Sequence, residues 1–160
     1  MKKALIFETR SGTVEECAHL LKEKIQDIEV INLKKDKPDL SKYDLVVFGG
    51  AYYAGMLSGK LKKLIKRNRQ ALKSKKYAIY VCCISQDDYK EVLIKNLGKE
   101  LVDNAVAVEL FGYQVNPQKT KCFNRFVLKV IKKAFEKENK PLSAIKEDSI
   151  DAFAKAINQA

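Results

Sequence analysis

Lys3-Ala-Leu-Ile-Phe-Glu-Thr-Arg-Ser-Gly-Thr-Val14 decides the fold: an apolar strand runs into a short hydroxyl-bearing loop, and a helical pattern starts at once. Val14, Cys17, Ala18, Leu21 and Ile25 recur at helical spacing on one face. This order sets Thr9, Ser11, Gly12 and Thr13 at the amino end of a helix, where backbone N–H groups lack intrahelical partners. Free donors and the helix dipole act together there, so such an end binds anions. Gly12 lets the backbone approach a phosphate closely, and the hydroxyls add donors without adding charge. The loop points to a phosphate-bearing ligand.

Outward from this stretch, strand and helix patterns alternate. Strands are predicted over 3–7, 29–33, 44–49, 77–83 and 105–111. Helices are predicted over 13–26, 58–71, 87–101 and 149–157, with an extra basic helix over 120–135. Leu45-Val-Val-Phe48 is continuously apolar, as a central parallel strand buried on both faces should be. Pro38 and Asp39-Leu-Ser-Lys-Tyr43 predict a loop or a one-turn helix between the second and third strands, and Asp148 is placed to cap the last helix. The expectation is a single α/β domain over 1–160: a five-stranded parallel sheet with helices on both faces.

In open parallel sheets, ligands sit beyond the carboxyl ends of the strands, where strand order reverses. Three loops meet that description, at 9–14, 49–55 and 83–88. The second, Gly49-Gly-Ala-Tyr-Tyr-Ala-Gly55, combines glycines that allow close backbone approach with tyrosines that can stack on a flat ring. A plain turn with two half-buried tyrosines is the duller alternative for this stretch. Asp87 and Asp88 follow the third loop and read as helix caps; no catalytic acid or base stands out.

Composition narrows the partners. The net charge of +11 is regional: residues 60–76 carry nine basic side chains and no acid, while residues 119–140 carry eight against Glu136 and Glu138. Such patches favour an anionic partner surface over a uniformly adhesive protein. Cys17, Cys82, Cys83 and Cys122 show no metal-ligand spacing and read as packed thiols, with Cys82 and Cys83 facing opposite sides of the sheet. His19 falls on the polar side of its helix. Only four consecutive apolar residues lie between Lys3 and Glu8, too few for a signal-peptide core, and no apolar run reaches the roughly 18 residues that span a bilayer. The chain therefore reads as cytoplasmic.

Thr9-Arg10-Ser11-Gly12-Thr13-Val14 resembles the Thr/Ser-x-Thr/Ser-Gly-x-Thr loop of flavodoxins, with Val14 where the pattern has its last threonine. The resemblance implies a flavodoxin-like sheet of order 2-1-3-4-5 and FMN as cofactor. It implies a phosphate cradle at Thr9, Arg10, Ser11, Gly12, Thr13 and Val14. Gly50, Ala51, Tyr52, Tyr53, Ala54 and Gly55 would flank one edge of the isoalloxazine, and Cys83, Ile84, Ser85 and Gln86 the other. A narrower likeness is to the bacterial quinone-dependent protoporphyrinogen dehydrogenases. It is carried by Thr9-Arg10-x-Gly12, by Val46-Val47-Phe48-Gly49 leading to Gly55, and by the basic aromatic stretch Arg125-Phe126-Val127-Leu128-Lys129-Val130-Ile131.

That likeness implies an FMN oxidoreductase acting on a porphyrinogen-type substrate with a quinone acceptor. Helix 120–135 would then lie peripherally on the inner face of an anionic membrane; the alternative is an amphipathic helix packed on its own domain. A second functional class is an electron-transfer protein that docks with acidic redox partners. A third is a non-flavin module for anions or nucleic acid, which ranks last because no aromatic–basic recognition motif is evident.

Overall fold

In the computed structural model, residues 1–83, 88–114, 129 and 145–160 are described. Six strands form one sheet: β1 (Lys3–Phe7), β2 (Ile28–Asn32), β3 (Leu45–Tyr53), β4 (Met56–Leu57), β5 (Lys76–Cys82) and β6 (Val108–Leu110). The helices are α1 (Thr13–Lys24), α2 (Gly59–Arg67), α3 (Arg69–Leu72), α4 (Tyr89–Leu97), α5 (Lys99–Asp103) and α6 (Glu147–Gln159). The order β2-β1-β3-β5-β6 is parallel throughout, so the five principal strands take the expected 2-1-3-4-5 arrangement. The addition is β4, two residues paired antiparallel to the end of β3.

Both faces of the sheet are covered, and each holds its own core. Ala4, Ile6, Val46, Phe48 and Ile79 pack against Leu61 and Ile65 of α2 and Leu93 of α4. On the opposite face Leu5, Val47 and Tyr80 pack against Cys17 and Leu21 of α1 and Phe153 and Ile157 of α6. Burying each of the Leu, Ile, Val and Phe side chains among them stabilises the fold by about 1.5–3 kcal/mol relative to exposure. Tyr80 stacks on Phe111 at 4.8 Å, with Phe153 edge-on to Phe111 at 5.3 Å. Cys82 and Cys83 part to opposite faces as alternation requires, and Cys17 is buried.

Several boundaries differ from the sequence reading. Helix 58–71 breaks at Asn68, whose side-chain N–H donates to the Leu64 carbonyl. The expected helix over 87–101 divides at Gly98, where φ is +96°. Asp148 does not cap the last helix; the helix begins two residues earlier than expected, after Lys146, and places Asp148 in the first turn of α6. Asp39 does cap a single 3-10 turn, accepting from the Ser41 backbone N–H at 3.0 Å.

The larger correction concerns 49–55, expected as a loop. Strand β3 continues to Tyr53, and only Ala54 and Gly55, both at positive φ, turn the chain back into β4. A two-residue turn with both residues in the left-handed region matches the twist of a β-hairpin. Gly49 and Gly50 are glycine because of packing. A Cβ on Gly49 would stand 2.2 Å from the Tyr80 ring, and one on Gly50 would stand 2.6 Å from the Leu61 side chain.

Candidate functional site

Strand order reverses between β1 and β3, so the loops leaving these two strands flank one crevice at the carboxyl edge of the sheet. Residues 8–12 leave β1 and enter α1 through Gly12, whose φ of +93° makes it a left-handed N-cap. Among the described residues no side chain caps α1. The Tyr80 hydroxyl donates to the Val14 carbonyl at 2.9 Å and fixes the first turn against the sheet.

The hydroxyls predicted to cradle a phosphate divide into two kinds. Thr9 Oγ1 accepts from the Gly12 N–H at 2.9 Å, which closes the loop and leaves the threonine's own proton to donate. Thr13 Oγ1 donates to the Gln114 carbonyl at 2.7 Å, so its proton is already used within the chain. Ser11 is buried and touches Thr13 Oγ1 only at 3.5 Å. Val14 is buried in the core, which explains an apolar residue there: its side chain faces the sheet and its N–H remains in the first turn.

Across the crevice stands the β3–β4 hairpin. The Arg10 guanidinium lies over the Tyr53 ring at 5.1 Å, a cation–π contact joining the two loops. The Tyr53 hydroxyl is buried without a hydrogen-bond partner among the described residues. Burial raises the phenol's pKa. Ser11 lies close enough to lower it in part without reaching hydrogen-bonding geometry, and Arg10 pulls the same way. Tyr52 points to the other face, where its hydroxyl donates to the Tyr89 carbonyl at 3.2 Å and burial raises its pKa. Gly50 and Ala51 sit inside the sheet below this rim.

Three residues that sequence reasoning missed tie the start of α2 and the β3–β4 hairpin in place. Glu8 is buried, and its carboxylate accepts from the Lys60 and Leu61 backbone N–H groups at 2.9 and 3.1 Å, capping α2 from the end of β1. Ser58 Oγ accepts from the Ala51 N–H at 3.1 Å and donates to the Ala51 carbonyl at 3.2 Å. Asn96, also buried, accepts from the Leu57 N–H and from Lys62, and donates to the Gly55 and Val92 carbonyls. The one available signal was Glu8, an acid at the end of an apolar strand.

At the third expected loop, Cys83 is buried at the end of β5, and burial pushes its thiol up to about 11, with Lys146 opposing. Ile84, Ser85, Gln86 and Asp87 lie outside the described residues, as does the expected helix over 120–135 apart from Lys129. Asp88 occupies the N-cap position of α4 without a capping side-chain bond, and His19 is exposed. Among the described residues no group of His, Cys, Asp and Glu is placed to hold a metal, and no helix is long and apolar enough to cross a membrane.

A doubly wound sheet with its crevice between β1 and β3 is the flavodoxin arrangement, in which FMN lies at that switch point. The chain belongs to the flavodoxin domain family, whose model matches residues 4–141. Solved structures agree on the fold. A Megasphaera elsdenii flavodoxin superposes with a TM-score of 0.57 at 11% identity, over 72% of this chain and 89% of that one. Oxidised flavodoxin 1 from Bacillus cereus gives 0.51 at 24% identity, over 73% and 86%. The Streptococcus pneumonia TIGR4 flavodoxin gives 0.51 at 16% identity over 99% of both chains. Comparison with curated proteins finds no match.

Proposed function

We propose that the chain, acting as a single domain, binds FMN across the β1/β3 crevice and works as an electron-transferring flavoprotein. The observation that carries this reading is the uncapped α1 N-terminus, entered through left-handed Gly12 beside the Thr9 and Ser11 hydroxyls. The first-turn N–H groups of Thr13, Val14 and Glu15, with those two hydroxyls, would hold the phosphate. Arg10 adds the loop's one cation. Tyr53, Ala54 and Gly55 would border the isoalloxazine, while Gly50, Ala51 and Tyr52 support that rim from inside the sheet and Cys83 lies on the far side. FMN, when bound, supplies the redox chemistry; the chain's residues bind it, orient it and set the local charge.

Reconstitution with FMN tests this directly. The expected result is a yellow protein with one flavin per chain, and a colourless protein that takes up none overturns the reading.

The finer reading is oxidation of a porphyrinogen with a quinone as acceptor. It is supported by the resemblance of residues 125–131, and it would have a cytoplasmic protein touch an anionic membrane through 120–135. Quinone reduction dependent on protoporphyrinogen supports it, and flavin uptake without such turnover leaves the electron carrier.

A further inference from the structure

We propose that the solvent side of α2, carrying Lys60, Lys63, Lys66 and Arg67, is a docking surface for an acidic redox protein. The helix has nine residues and no carboxylate. These four cations are exposed and meet no acidic partner among the described residues. Their neighbours differ: Arg69 and Lys73 both pair with Glu100, Lys62 bonds to Asn96, and Lys75 donates to the Tyr43 carbonyl. Lys60, Lys63 and Arg67 follow at spacings of three and four, so like charges face one another along one side of the helix. That repulsion destabilises the isolated helix and is relieved by a carboxylate-bearing surface.

Position adds a reason for the occupant to be a redox protein. The helix follows directly from the β3–β4 hairpin, and Met56, 57% exposed, stands four residues before Lys60. Glu8 ties the start of α2 to the end of β1, so the basic stripe begins behind the crevice. This placement rests on the FMN reading above. A membrane fits α2 less well. Interfacial helices need a free apolar face, and Leu61 and Ile65 are already spent on the sheet. Complementary charge would steer a partner to the hairpin edge.

The probe is a plant-type [2Fe–2S] ferredoxin, acidic in net charge, titrated calorimetrically into the FMN-loaded full chain at low salt. The triple variant Lys60→Glu, Lys63→Glu, Arg67→Glu is expected to weaken binding at least about tenfold. A matched triple outside α2, Lys2→Glu before β1, Lys22→Glu on α1 and Lys155→Glu on α6, carries the same charge change and is expected to weaken it less than about threefold. Equal weakening by both triples overturns the proposal. So does ferredoxin binding unaffected by the α2 triple when that triple abolishes co-sedimentation with phosphatidylglycerol vesicles. Flavin absorbance is read before each titration. Failure to take up FMN overturns the cofactor reading alone, because the two triples still differ or agree in ferredoxin binding.

Discussion

Helices α1 and α2 begin at the same end of the sheet and dispose of their free N–H groups in opposite ways. At α2 the chain supplies its own anion: Glu8 is buried and accepts from Lys60 and Leu61. At α1 the described residues supply none, and Gly12 brings the backbone in with no side-chain cap. Dipole and orphan donors are common to both ends. A ligand site is therefore marked by what the fold leaves unfilled at a helix end, and the end alone is not enough. Both choices come from one short segment, since Glu8 and Gly12 are four residues apart.

The largest expected effect comes from filling the open end. In Gly12→Val a β-branched side chain is forced to a φ of +93° at the point of closest approach. FMN affinity is expected to fall at least about a hundredfold, roughly 2.7 kcal/mol, with the far-ultraviolet spectrum unchanged. Retained stoichiometric flavin would show that the phosphate sits elsewhere. Opening the closed end comes next. Glu8→Ala removes a buried carboxylate with two backbone bonds and is expected to lower stability by about 2 kcal/mol in urea denaturation. FMN affinity is expected to change far less. A variant as stable as the parent would mean that Glu8 is no cap in solution.

The open end was legible in the sequence because every part of it is local: strand, hydroxyl loop, glycine and amphipathic helix follow within a few residues. Alternation with right-handed crossovers made the parallel, helix-covered sheet legible, while the strand order came from the flavodoxin resemblance. The closed end was not legible. Glu8 meets α2 across 52 residues, and Asn96 reaches Gly55 across 41, so no window of sequence contains either pair. The Gly49–Gly50 pair was read as room for a ligand ring in a loop. Room for a ligand and room for a neighbouring side chain look identical until Tyr80 and Leu61 are seen against them. Val14 shows the same ambiguity in reverse: a departure from the loop pattern is a core residue in its proper place.

The smallest effect is the most discriminating, because its sign depends on the ligand. Around α2 the buried polar groups are matched: Asn96 uses all four of its side-chain bonding positions, and Ser58 both donates and accepts. Beside α1 the Tyr53 hydroxyl is buried with no hydrogen-bond partner among the described residues. An unmatched buried hydroxyl is a liability, so Tyr53→Phe is expected to raise the stability of the FMN-free protein by about 1 kcal/mol or less. If the crevice receives FMN, the hydroxyl gains a polar neighbour and the parent should recover that difference. Tyr53→Phe is then expected to weaken FMN binding about fivefold, one modest hydrogen bond. Denaturation of both proteins with and without saturating FMN reads the two quantities together, since ligand that binds only the folded state raises stability in step with its affinity. A phenylalanine variant less stable than the parent in the absence of FMN would mean that the hydroxyl has a partner in the chain itself. The contrast between the filled and the open helix end would then be weaker by one group.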